Sequence, residues 1–336
     1  MMKQFIFILL GLMLMGTAHS QDEEKLTVKP SGRILMDAGA FHADHYNDKF
    51  NDGAAIPDVR IGFGAQYGKW KSKVDVGFAY AKISLKDIFM EYVFNKENLL
   101  RGGYFVHQFG LQSATSSSFK ITMEEPASNQ AFFNSRLVGL MFLHNKEKFF
   151  GTLSLFAEGE AMKQSTDKLG NEGYGMMSRL VYRPLRDPGK IFHIGLSGAF
   201  ESPRYNAKPE DNHRSYALKS EFPTRIARVT AQQADITEAK MLYKFTPEVT
   251  AAIGRLAIES QYFFVTVNRE NGLPRYQASG AYALLRGLVK GNGYVYSDGD
   301  SGIRTPDPGS MELVLGYNYT DLSDHKAQIL GGRVND

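Results

Sequence analysis

Three short clusters in this chain have residue types and spacing that could do chemistry. His42-Ala43-Asp44-His45 brings two imidazoles and a carboxylate close together, as a zinc ion would need, but no third ligand is placed with them. Asp298-Gly299-Asp300-Ser301-Gly302 offers oxygens of the kind that hold calcium, and the same composition is ordinary turn chemistry. Gly62, Gly64 and Gly68 have the wrong spacing for a dinucleotide fingerprint and lie in a strand-like stretch. Zero cysteines exclude thiolate nucleophiles, thiolate metal sites and disulfides, and no serine, histidine and acid grouping stands out. No catalytic residue, cofactor or metal is expected, and the chain is read as a non-enzyme.

Charge on one face is the stronger signal. Arg33, Arg60, Lys71, Lys73, Arg101 and Arg179 fall on the polar parity of alternating segments, with His107 close by. They read as contacts for small anions, or as solvated charges paired with Asp37, Asp75 and Glu91. Residues 110–134 break the alternation. Thr115, Ser116, Ser117 and Ser118 form a run of hydroxyls, and Lys120, Glu124 and Glu125 are the only charges from 111 to 134, a formal balance of −1. The apolar Phe119, Ile121, Met123, Phe132 and Phe133 argue that this loop packs, and inside a wide tube it would narrow the passage; an external lid is the alternative. Lys120 and Arg60, with the hydroxyls at 115–118, are expected to form the narrowest anion contact.

The elements that must carry these residues follow from period-two patterning. In 59–67, Val59, Ile61, Phe63, Ala65 and Tyr67 share one face, against Arg60, Gly62, Gly64 and Gln66 on the other. In 70–80, Trp70, Ser72, Val74, Val76, Phe78 and Tyr80 oppose Lys71, Lys73, Asp75, Gly77 and Ala79. Gly68-Lys69 would join the two as a tight hairpin. The same grammar predicts strands near 33–42, 58–67, 70–80, 84–94, 99–107, 136–144, 149–159, 174–183, 190–201, 213–221, 236–245, 250–265, 275–289, 310–320 and 327–336. Greasy faces could meet in a sandwich, but no linker divides the chain into domains. In lipid the pattern closes into a tube with the greasy side outward, because every backbone group must be paired. The fold class is therefore all-β, a transmembrane antiparallel β-barrel.

Short turns such as Gly68-Lys69 and Arg186-Asp187-Pro188-Gly189 would face the periplasm. The long stretches 163–173, 204–212 and 297–309 would be external loops. Tyr92 with Phe94, Phe149 with Phe150, Phe263 with Phe264, and Tyr317 with Tyr319 would form interfacial girdles. A barrel enzyme or a plugged structural barrel shares this grammar; polar, glycine-rich inward faces favour an open pore.

Residues 1–20 read as a cleaved signal peptide. Lys3 precedes an apolar run from Phe5 to Met15, too short to span a bilayer, and the small residues Ala18 and Ser20 precede Gln21. Residues 21–32 would be a periplasmic segment and 33–336 the barrel. Mean hydropathy is −0.30, and the formal charge of +3 becomes +2 without Lys3. Outer-membrane lipid and lipopolysaccharide are the expected surroundings, and no nucleic acid is expected as a partner.

Three stretches resemble the phosphate-selective porins of the OprO/OprP type. They are Gly103-Tyr104-Phe105 through Phe109-Gly110-Leu111 to Ala114-Thr115-Ser116-Ser117; residues 179–190 with His193-Ile194-Gly195-Leu196; and Tyr276-Gln277-Ala278-Ser279-Gly280 through Met311-Glu312-Leu313 to Tyr317. The resemblance implies a trimeric barrel of about 16 strands, with a constriction loop at 110–134 and a basic inner wall that binds phosphate or polyphosphate. It also implies that this chain, ending at Gly331-Gly332-Arg333-Val334-Asn335-Asp336, lacks the final strands. Ser118, Glu124-Glu125, Val59-Arg60 and Gly316 stand where the family pattern has a further basic residue: a lysine, an acidic-basic pair, a doubled arginine and an arginine. General or weakly selective passage of small solutes is therefore the alternative to phosphate selectivity.

Overall fold

The computed structural model describes residues 25–42, 44–45, 49–115, 120–157, 173–203, 214–222 and 225–336. The leader expected at 1–20, Ser116 to Ser118 of the hydroxyl run, residues 163–172 and all of 204–212 lie outside them.

Among the described residues, fourteen antiparallel strands form one sheet in chain order. They are β1 (Thr27–Gly39), β2 (Gly53–Tyr67), β3 (Trp70–Gly77), β4 (Ser84–Val93), β5 (Asn98–Phe105), β6 (Leu137–Lys146), β7 (Phe149–Ala157), β8 (Tyr174–Asp187), β9 (Lys190–Glu201), β12 (Ala239–Ile253), β13 (Leu256–Arg269), β14 (Tyr276–Lys290), β17 (Met311–Asp324) and β18 (Ile329–Asn335). Two further pairs stand apart from it: β10 (Ser215–Glu221) with β11 (Thr230–Thr237), and β15 (Tyr296–Ser297) with β16 (Gly302–Ile303). Among the described residues β1 pairs with β2 alone and β18 with β17 alone, so the sheet is open between them.

Strands form here because alternating faces meet unlike surroundings. Ile61, Phe63, Leu180, Leu196, Leu285 and Leu315 are all more than half exposed, a band of apolar side chains on the convex face that only lipid would cover. The concave face carries the buried and charged residues. One end of the sheet has tight turns at 68–69, 147–148, 188–189 and 254–255. Gly189 and Gly254 sit there at φ of 68° and 58°, a left-handed conformation that a Cβ would strain.

Several expectations need correction. The strands expected at 236–245 and 250–265 are really Ala239–Ile253 and Leu256–Arg269. Pro247, which falls in the gap left between the two expected ranges, lies within β12 opposite Leu196, and the turn comes at 254–255. Residues 213–221 are no barrel strand; their core is β10, whose hairpin with β11 lies over the inner face, Ala234 packing where a Cβ on Gly331 would stand. β1 starts at Thr27 opposite Gln66, so much of the expected 21–32 segment is already strand. Phe150 and Phe263 face inward, 2% and 0% exposed, while Phe149 faces out. Successive strand residues point to opposite faces, so adjacent aromatics cannot both join one girdle. Trp70–Tyr92, Tyr92–Phe94 and Phe149–Tyr182, with centroids 4.8, 5.0 and 5.1 Å apart, build a girdle at the tight-turn end.

The stretch 297–309 also differs from its expected place outside the long-loop end. It belongs to the β14–β17 connection, which leaves β14 at the tight-turn end and folds inward: Gly189 N–H donates to Tyr294 O at 2.8 Å, and Gly254 N–H to Gly189 O at 2.6 Å.

Candidate pore lining

The inner wall of the first strands is a ladder of exchanged charge. Arg33 in β1 lies directly opposite Arg60 in β2, and two like charges at such positions repel. Asp58, 3% exposed, resolves the conflict: Arg33 Nη2 bonds one carboxylate oxygen and Arg60 Nε the other, at 2.7 Å. Lys73 Nζ is 2.8 Å from Asp75 and 3.6 Å from Asp87, and Arg136 Nε reaches Asp87 at 2.8 Å. Arg101 binds Glu91 at 2.5 and 2.8 Å, with its guanidinium 4.2 Å above the Phe89 ring. Lys71 is exposed and forms no ion pair among the described residues.

Alternation alone misses two members of this wall. The β3–β4 register passes from Val74 opposite Ile88 to Val76 opposite Leu85, so Asp75 faces both Asp87 and Lys86. Such a bulge turns consecutive residues toward one side. Lys86 fits because residue 77 is glycine: a Cβ there would stand 2.5 Å from Lys86 Cε. Arg33, Arg60, Lys71, Lys73, Lys86, Arg101 and Arg136 thus meet Asp37, Asp58, Asp75, Asp87 and Glu91, seven positive groups against five negative.

The described parts of the loop at 110–134, residues 110–115 and 120–134, lie against the inner face of the later strands. Helix α1 (Gly110–Ala114) is seated by Gly110 N–H to Ser197 Oγ at 2.9 Å and Gln112 N–H to Gln261 Oε1 at 3.1 Å. Helix α2 (Ala127–Phe132) is seated by Ser128 N–H to Asn318 Oδ1 at 3.0 Å, with Phe132 stacked 5.8 Å from Phe263. The loop charges are used locally. Lys120 is 3.0 Å from Glu125 and donates to Gln112 O; Glu124 pairs at 3.0 Å with Arg225 from the β10–β11 turn. Burial outweighs that arginine and raises the Glu124 carboxyl above its ordinary value. Thr115 Oγ1 donates to Leu111 O at 3.1 Å. Lys120 and Arg60, expected to share the narrowest anion contact, each pair with a carboxylate of their own, Glu125 and Asp58.

Arg179 is not a solvent-facing contact either. It is fully buried, 2.7 Å from Glu248, and donates to the carbonyls of Asp300 at 3.0 Å and Ser301 at 2.9 Å. His193 joins Glu248 Oε1 at 2.8 Å and the Tyr296 hydroxyl at 2.9 Å. Arg183, fully buried beside it, donates to Ser301 Oγ at 2.8 Å and Asp298 O at 3.1 Å. The Asp298 to Gly302 motif therefore hands its carbonyls to arginines. Among the described residues no group of His, Asp and Glu is placed to hold a metal ion.

A family model described as phosphate-selective porin O and P matches residues 28–336. No curated protein matches the chain. Among solved structures, a loop L8 deletion mutant of OmpT, an outer membrane protein of Vibrio cholerae, superposes with a TM-score of 0.55 at 11% identity, over 92% of this chain and 85% of that one. The trimer form of in-vitro folded OmpT from the same organism gives 0.38 at 8% identity, over 88% and 99%. The first likeness shows an outer-membrane barrel fold, and with a family match over nearly the whole chain it follows that this protein belongs to the phosphate-selective porin O and P family and is an outer-membrane porin.

Proposed function

We propose that this porin passes small anions such as phosphate by passive diffusion, along a water-filled path on the inner wall of β1 to β5. The observation that carries the reading is the surplus of cations on that wall, of which Lys71 is exposed and Lys73 partly exposed. A cation on a water-filled wall attracts an anion with roughly 1 kcal/mol at close range in a high effective dielectric. The interleaved carboxylates moderate this, which favours modest selectivity. Residues 110–134 narrow the path by occupying the concave side, with Thr115 and the hydroxyls at 116–118 as further polar contacts. Lys120 and Arg179 act by holding loops in place. Export by a signal peptide at 1–20, residence among outer-membrane lipid and lipopolysaccharide, and assembly as a homotrimer complete the reading, supported by the leader's sequence and by the family.

Planar-bilayer recordings under a salt gradient test it. The wild type should show ohmic steps and an anion-preferring reversal potential. Arg60→Glu with Lys73→Glu should lower the anion-to-cation permeability ratio by at least about fivefold, the factor that roughly 1 kcal/mol commands. A cation preference in the wild type would sink the proposal.

A further inference from the structure

On the convex face of β6 to β9, β12 and β13 the apolar band is indented by a recess of about 1090 Å³. Its floor is made by small or ring-shaped residues of the outward parity, Gly151, Ser178, Pro247 and Ser260, and its walls include Tyr182 and Tyr262. We infer that this recess holds an anionic phospholipid, its acyl chains in the groove and its headgroup at the tight-turn rim. The inference rests on the membrane-spanning reading but not on the selectivity of the channel.

Three observations carry it. The recess lies on the lipid-facing parity, so hydrocarbon must fill it. Its size exceeds the roughly 300–1,000 Å³ of ordinary small-molecule sites, which leaves room for a molecule with two chains. Its length along the strands fits inside one leaflet: on β7 the lining runs from Phe149 to Leu153, four residues, about 13 Å of strand, or about 10 Å of depth at a tilt near 40°. That is within half of a hydrocarbon core of roughly 30 Å.

The rim supplies the charge. Lys146 at the end of β6 and Lys190 at the start of β9 share the outward parity of Phe142 and Phe192 and are exposed, and Lys148 and Arg255 occupy adjoining turns. Glu147 and Asp187 are the acidic residues among them, and no ion pair joins these six among the described residues. Four cations against two carboxylates leave a positive rim where a phosphodiester would sit. Short turns of such barrels face the periplasm, which makes the leaflet the phospholipid one.

The test uses the full chain reconstituted in vesicles of equal phosphatidylglycerol and phosphatidylcholine, re-extracted in mild detergent and read by native mass spectrometry. Retained lipid should be enriched in phosphatidylglycerol. Lys146→Gln with Lys190→Gln should reduce that enrichment about fivefold for each cation removed, while Lys190→Arg keeps it. Ser178→Trp, which fills the floor, should cut retention of both lipids. These residues face away from the lumen, so single-channel conductance serves as the folding check and should not change. Equal retention of both lipids by the wild type, or unchanged enrichment in the double variant, overturns the inference. So would disulfide formation between two copies through Leu180→Cys, since a second copy would then cover the groove. A wild type that retains phosphatidylglycerol but prefers cations defeats the channel proposal alone.

Discussion

The two sides of the concave face use the same residue types to opposite ends. On β1 to β5, Arg60 and Lys73 share carboxylates and stay within reach of water. On β8 to β14, Arg179 and Arg183 are sealed beneath residues 291–310 and spend their donors on Glu248 and on backbone carbonyls. An arginine facing inward is thus no evidence of a pore contact by itself. What decides its role is whether a connection folds over it.

Perturbing each side should give effects of different kind and size. The largest is expected from Arg179→Ala, which leaves Glu248 and His193 buried without their cation. Breaking such a pair costs roughly 3–5 kcal/mol, seen as a lower midpoint of denaturant unfolding and earlier proteolysis within 291–310. A midpoint equal to wild type would show that the loop seats itself without the ion pair.

A smaller effect is expected where the two sides meet, at His107 in the connection after β5. Burial holds its imidazole down to about 4, and its Nε2 lies 3.3 Å from Leu137 O. The unfolded chain therefore binds a proton at higher pH than the folded one, so stability falls as pH drops from about 6.5 through about 4, by about 3 kcal/mol over the window. His107→Phe should flatten that slope in unfolding experiments, and an unchanged slope would assign it elsewhere.

Least is expected from Lys73→Gln on the open side. Its partly exposed ion pairs contribute at most about 1 kcal/mol to stability. Its signature should be a shifted reversal potential at nearly constant melting temperature. A stability loss as large as that of Arg179→Ala would erase the distinction between the two walls.

Much of this was readable in advance. Period-two alternation placed β2 and β3 and their turn, because a strand between lipid and water leaves its mark on every second residue. It placed Arg33, Arg60, Lys73 and Arg101 on one face for the same reason. Alternation failed at the β4 bulge, where Lys86 and Asp87 turn to one side, and at Pro247, whose ring is tolerated within β12.

Residue order alone therefore settled the fold class, the lipid-facing parity and part of the charged wall, Arg33, Arg60, Lys73 and Arg101, since each depends on neighbours along a strand. Which charges stay wet was decided only by the tertiary structure. Lys120 meets Glu125 in its own loop, but Arg179 meets Ser301 and Arg225 meets Glu124 across long gaps in the chain. Such meetings depend on where connections fold over the sheet, and a local pattern carries no record of that.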